Sequence, residues 1–244
     1  MALTRIDCEL YRGDSASPDN SSYSIFNPLK LPGSLVAATA LAARKGVGSQ
    51  VGCRLALDHS GDGVLDFYEK PSANLGADPT IEPGLALLEY AFRHANDAVY
   101  NFGHKLAAGG RLAASFLALS IENTNAVLGR VGRGSGYLYR GKELFPFFAG
   151  ESEGATELST NYLGEHSAVS VALASVPVRA EDILLLFPFS LSRDAEVKLL
   201  RLLEKGKGDF QGLCGMLCQA VFPEPAALPF GITVQIGPEA IYLA

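Results

Sequence analysis

The densest run of oxygen-bearing side chains is residues 58–69, which read DHSGDGVLDFYE. Asp58, Ser60 and Asp62 occupy its first, third and fifth places, Asp66 the ninth and Glu69 the twelfth. Gly63 stands at the sixth place, where a sharp turn is needed, and Val64 at the seventh offers a backbone carbonyl. That is the ligand spacing of a twelve-residue EF-hand calcium loop: three single oxygens, one carbonyl, one water-mediated contact and a carboxylate chelating with both oxygens. Ser60 is a less usual ligand, Pro71 opposes an ordinary exiting helix, and there is no partner loop. The expectation is weak calcium binding by Asp58, Ser60, Asp62, Val64, Asp66 and Glu69. The alternative is a polar surface loop whose glycines break a helix.

Other chemically capable residues form no such constellation. Cys8, Cys53, Cys214 and Cys218 are too scattered for a disulfide framework, and the pair at 214 and 218 lacks neighbouring His or Cys ligands. They read as buried, reduced thiols. His59, His94, His104 and His166 show no metal spacing, and no nucleophile elbow is present. The run GRVGRGSG at 129–136 has the glycines of a phosphate-binding turn, but strand-like YLYRGK follows it where a dinucleotide fingerprint requires a helix. It reads as a hairpin turn. Arg130, Arg133, Arg140 and Lys142 make it locally basic, so a phosphate-binding surface stays open beside a solvated hairpin.

Residues 4–11, 23–26 and 34–41 read as strands, and 48–57 as a short helix ending at the glycines of DHSGDG. Apolar positions at Leu88, Phe92, Ala95, Val99, Phe102 and Leu106 predict a helix over 85–107. From Arg111, three sequential strands follow, RLAASFLALSI, NAVLGRV and GYLYRGKEL, then a polar loop over 149–167. SVALASV and DILLLFPF read as strands. DAEVKLLRLLEKG has the acidic start, basic end and glycine stop of a helix, and DFQGLCGMLCQAVF reads as a second. GITVQI and AIYL finish as strands.

The chain has 244 residues, of which 48% are hydrophobic and 19% charged, enough for a substantial core. A formal charge of -6 gives no long-range attraction to nucleic acid or anionic membrane. No apolar run reaches the roughly 18 residues of a spanning helix, and the first ten residues lack a signal peptide's apolar block. The expectation is one cytoplasmic domain over 1–244, with no nucleic-acid and no membrane partner.

Four stretches, in this order and spacing, resemble the PPM family of metal-dependent serine/threonine phosphatases over nearly the whole chain. YAFRHANDAVYNFG is similar to the family's A-N-containing helix. GGRLAASFLALSIENTNAVLGRVGRGSGYLYRGKEL resembles its G-T-T-L to V-G-D-S-R-A-Y-L-Y-R segment. VPVRAEDILLLFPFSLSRDAEV resembles V-P-L-x-x-G-D-x-L-L-L-C-S-D-G-L-T-D, and FGITVQI resembles D-N-I-T-V-V-V. The resemblance implies an α+β, four-layer αββα sandwich, with two antiparallel sheets face to face and helices on both outer faces. It also implies two divalent ions between the sheets, activating water for attack on phosphate.

Such a site needs several carboxylates aimed at one place. Carried over residue by residue, the family's acidic N-E-D motif falls on 19–21, placing Ser21 where a carboxylate is expected. The D-G-x-G-G motif falls on 40–44, with Ala40 at the ion-bridging aspartate and Leu41 at its glycine. In V-G-D-S-R the acid becomes Arg133. S-D-G places Phe189 at another ligand, and D-N places Phe230 at the last. Phenylalanines there imply a cleft plugged by side chains, each burial contributing roughly 1.5–3 kcal/mol. The resemblance therefore implies a pseudophosphatase that binds another protein: a kinase, a phosphoprotein or a signalling component. An active phosphatase with displaced ligands, drawing on Asp14, Asp19 or Asp194, and a calcium-responsive binding module are the alternatives.

Overall fold

The computed structural model describes residues 3–12, 21–43, 48–70, 82–105, 112–122, 124–148, 161–205, 210–221 and 230–240. In chain order the elements are β1 (Leu3–Arg12), β2 (Ser21–Phe26), β3 (Ser34–Ala42), α1 (Ser49–Glu69) and α2 (Pro83–Lys105). Then come β4 (Ala114–Glu122), β5 (Asn125–Val131), β6 (Ser135–Arg140), β7 (Glu143–Pro146), β8 (Ala172–Pro177) and β9 (Ile183–Phe187). α3 (Arg193–Lys205), α4 (Leu213–Val221) and β10 (Phe230–Ala240) complete the chain. Among the described residues, no helix is long and apolar enough to cross a membrane.

The strands form two antiparallel five-stranded sheets, ordered β1-β10-β9-β6-β7 and β2-β3-β4-β5-β8. Alternation along each strand gives each sheet two apolar faces. Leu35, Ala37, Leu117, Leu119 and Leu128 of one sheet meet Leu138, Leu184, Leu186, Ile232 and Val234 of the other, forming a shared inner core. The outer face of the β2–β8 sheet, through Ala38, Ala40, Phe116 and Ala118, packs under α1 and α2. The outer face of the other sheet, through Tyr137, Leu185 and Phe187, packs under α3 and α4. This is the expected αββα sandwich. At Gly136 the sheets approach so closely that a Cβ would lie 2.1 Å from Leu128 Cδ2.

Two local expectations are corrected. The helix expected to stop at residue 57 continues to Glu69, so the calcium loop is not a loop. Cys53, Ala56, Leu57, Ser60, Gly63, Val64 and Phe67 are buried along one stripe, and this helical period runs straight through the motif. Gly63 faces α2, where a Cβ would come 3.0 Å from Ala91 Cα and 3.2 Å from His94 Cβ. The glycine is there for helix–helix contact rather than for a turn.

The second correction concerns 129–136. β5 and β6 lie in different sheets, so Gly132 to Gly134 form a crossing between sheets, not a hairpin turn. Gly132 and Gly134 have φ of 74° and 144°, which L side chains rarely adopt. The hairpin lies later, between β6 and β7, at Gly141 and Lys142 with φ of 60° and 71°.

Candidate functional site at the inter-sheet mouth

The resemblance directs attention to one end of the sandwich, where β2 and β10 begin and β1, β3, β5 and β9 end. Strand register decides which side chains face the cleft there. Leu35 and Ala37 belong to the inner core, so Thr39 and Leu41, two and four residues on from Ala37, share the inner face. Ala40 belongs to the opposite face, beneath α1 and α2. The β3 side chains facing the cleft are therefore Thr39 and Leu41, while that of Ala40 faces the helices.

Ser21 pairs with Leu41, and Tyr23 with Thr39, so these four side chains share that inner face. Leu41 also pairs with Ser115, extending the row. Ser21 is 3% exposed and Thr39 1%, and neither hydroxyl has a hydrogen-bond partner among the described residues. Ser115 Oγ accepts the backbone N–H of Arg133 at 3.1 Å.

From the facing sheet, Phe230 has the parity of Ile232 and Val234 and points inward, 1% exposed. Its ring lies 6.1 Å from that of Tyr23, which is itself 44% exposed, so an aromatic pair joins the two sheets at the mouth. Phe189 does not lie on a strand: it sits in a bend after β9 and is half-buried. The segment that follows is held by Leu191 N–H donating to Ser135 Oγ at 3.0 Å. Arg133 is exposed in the crossing from β5 to β6. The structure thus brings together Ser21, Leu41 and Phe230, places Phe189 and Arg133 in the loops at that end, and puts Ala40 elsewhere. Thr39, Ser115 and Tyr23 belong to the site and were not singled out from sequence.

These residues do not fit a pair of divalent ions. Among the described residues, the inner-face strand positions at this end carry hydroxyls, alkyl groups, rings and the guanidinium groups of Arg12, paired with Phe230, and Arg130, paired with Leu117, without a carboxylate. Hard divalent cations take oxygen ligands with enough negative charge to offset dehydration, and two neutral hydroxyls beside a phenyl ring do not supply it. Among the described residues, no three His, Cys, Asp or Glu side chains converge on one point. Asp14 and Asp19 lie outside the described residues, and Asp194 is exposed in the first turn of α3.

The remaining candidates disperse. On α1, Asp58 and Asp62 project outward while Ser60 is buried and donates to Leu57 O at 2.9 Å. Asp66 is engaged by Lys70 Nζ at 2.8 Å, and Val64 is in the core. A helix spreads such ligands around its axis and cannot aim them at one ion. Cys53, Cys214 and Cys218 are buried and not in disulfides; Cys214 Sγ donates to Gly231 O at 3.2 Å. Desolvation pushes the Cys53 thiol up to about 12, which keeps it protonated and inert. Of the basic stretch, Arg140 is committed to Asp182 at 2.6 Å. Arg130 donates to Gly134 O and lies 4.5 Å above the Phe148 ring.

The sequence matches no family model and no curated protein. Solved structures match across the whole fold. A structure described as PppA, a key regulatory component of T6SS in Pseudomonas aeruginosa, superposes with a TM-score of 0.64 at 15% identity, covering 97% of this chain and 100% of that one. The catalytic domain of the serine/threonine phosphatase PstP, in complex with 2 manganese ions, matches with a TM-score of 0.63 at 15% identity over 97% and 100%. The PPM Ser-Thr phosphatase MsPP from Mycobacterium smegmatis, in complex with cacodylate, gives 0.64 at 12% identity over 98% and 100%. The architecture is that of the PPM-type serine/threonine phosphatases.

Proposed function

We propose that this chain, built on the PPM phosphatase fold, is a pseudophosphatase that acts by binding another protein. One observation supports the reading: the described inner-face positions at the mouth include Ser21, Thr39, Leu41, Phe230 and Arg12, where a two-ion site requires converging carboxylates. The ions would supply both the activated water and the charge that stabilises the transition state, so losing their ligands removes both contributions together. What remains is a rigid sandwich with an aromatic pair at its mouth, suited to recognition. The partner expected is a kinase, a phosphoprotein or another signalling component.

Manganese titration followed by calorimetry and by thermal unfolding tests the metal half of this reading. The expected result is no saturable heat and an unchanged melting temperature. Saturable binding of two manganese ions would contradict it. For the binding half, the intact protein immobilised as bait should retain a partner that a Tyr23→Ala variant releases, with melting temperature preserved; retention indifferent to Tyr23 would remove the mouth from the interface.

A further inference from the structure

We propose that the inter-sheet mouth is a hydroxyl-lined slot that binds ordered water between Ser21 and Thr39, with Ser115 in the adjoining row. This concerns what the cleft holds and stands independently of whether the chain turns over phosphate. Ser21 Oγ and Thr39 Oγ1 are both more than nine-tenths buried and without a partner among the described residues. They lie on adjacent strands and the same face, because Ser21 pairs with Leu41 and Tyr23 with Thr39. That diagonal relation separates the Cβ atoms by somewhat less than about 7–8 Å, and one water making two hydrogen bonds of about 2.8 Å spans it.

Burying a hydroxyl with no hydrogen bond costs on the order of 1–3 kcal/mol. Two such hydroxyls side by side therefore call for a shared partner that both donates and accepts. Water does this; a divalent cation only accepts lone pairs and finds no negative charge here. A third hydroxyl is close by: Ser115, 3% exposed, sits on the other side of Leu41, and its oxygen already accepts the Arg133 N–H while keeping its own proton to donate. Among the described residues, the other such buried hydroxyls lie on the far faces: Ser34 shares the parity of Ala38, and Thr233 pairs with Leu185 beneath α4, beside the Cys214 thiol. The inner-face clustering is thus confined to the mouth, where buried waters find the two to four polar partners they need.

The test has two arms. A crystal structure of the intact protein, at a resolution where waters are placed, should show density within hydrogen-bond distance of both Ser21 Oγ and Thr39 Oγ1. Denaturant midpoints of Thr39→Val, Thr39→Ser and Ser21→Ala, alone and combined, provide the second. Thr39→Val should lower the midpoint, Thr39→Ser should restore most of it, and Ser21→Ala combined with Thr39→Val should lose less than the sum, because both act through one water. A dry slot, or a Thr39→Val midpoint equal to or above the parent, overturns the proposal, since removing a hydroxyl that has no partner stabilises.

Discussion

Phe230 is the residue on which the reading of the cleft rests, and replacing it is informative. Phe230→Asp removes a fully buried ring and leaves a carboxylate with neither metal nor counter-ion. It should lower unfolding stability by about 3–5 kcal/mol or more, read from the denaturant midpoint. The sign of its pH dependence follows from desolvation, which raises the buried acid's pKa above its unfolded value. The deficit is then smallest below about pH 4, where the acid is protonated in both states, and grows as pH rises toward the folded pKa. An unchanged midpoint at neutral pH would place residue 230 outside the core. Phe189→Asp should cost much less, because Phe189 is half-buried in a bend. Phe230 was legible from sequence because FGITVQI alternates clearly. The inward face of β3 was not, because SLVAATALA consists almost entirely of small apolar residues. Without polar contrast the two faces look alike, and only the pairing of β3 with β2 and β4 shows that Thr39, not Ala40, faces the cleft.

α1 shows two patterns competing within one segment. The acidic residues of 58–69 fit a calcium loop, and the same residues leave Leu57, Ser60, Val64 and Phe67 at helical spacing. The helical period prevails because that stripe packs against β3 and α2, as Val64 and Phe67 do with Val36 and Leu87. Glycine costs about 1 kcal/mol in a helix interior relative to alanine, so the two glycines should respond oppositely. At Gly61 a Cβ meets only Phe26 ring atoms at 4.0 Å, so Gly61→Ala should stabilise by up to about 1 kcal/mol. Gly63→Ala forces a contact 3.0 Å from Ala91 Cα and should destabilise despite the gain in propensity. Thermal unfolding of both variants checks the pair. Calcium at millimolar concentration should leave the melting temperature unchanged, since a native-state ligand would raise it. Helix α2 and strands β4, β5 and β9 were legible with small boundary shifts, because their apolar periods are long and uninterrupted. The crossing at 132–134 was not, because a tight glycine turn looks the same whether the next strand joins the same sheet or the facing one.

For the whole molecule, the order of strands and helices and four spaced segments were enough to anticipate the αββα sandwich. The reason is physical: each segment supplies core-facing residues that pack the two sheets against each other and against the helices. The pair of half-exposed Arg140 and buried Asp182 at one end of the β1–β7 sheet is part of that framework, with the guanidinium also donating to Pro177 O at 2.7 Å. Asp182→Ala should cost about 1–3 kcal/mol by removing the acceptor shared by Arg140 and the Arg179 N–H, measured by denaturant unfolding. The central claim is that this framework carries no phosphatase site, and turnover tests it most directly. With purified protein, an aryl phosphate and a serine phosphopeptide, in manganese and then in magnesium, hydrolysis should not exceed the protein-free rate and should be indifferent to chelator. Robust turnover that is metal-dependent and abolished by chelator would contradict the account.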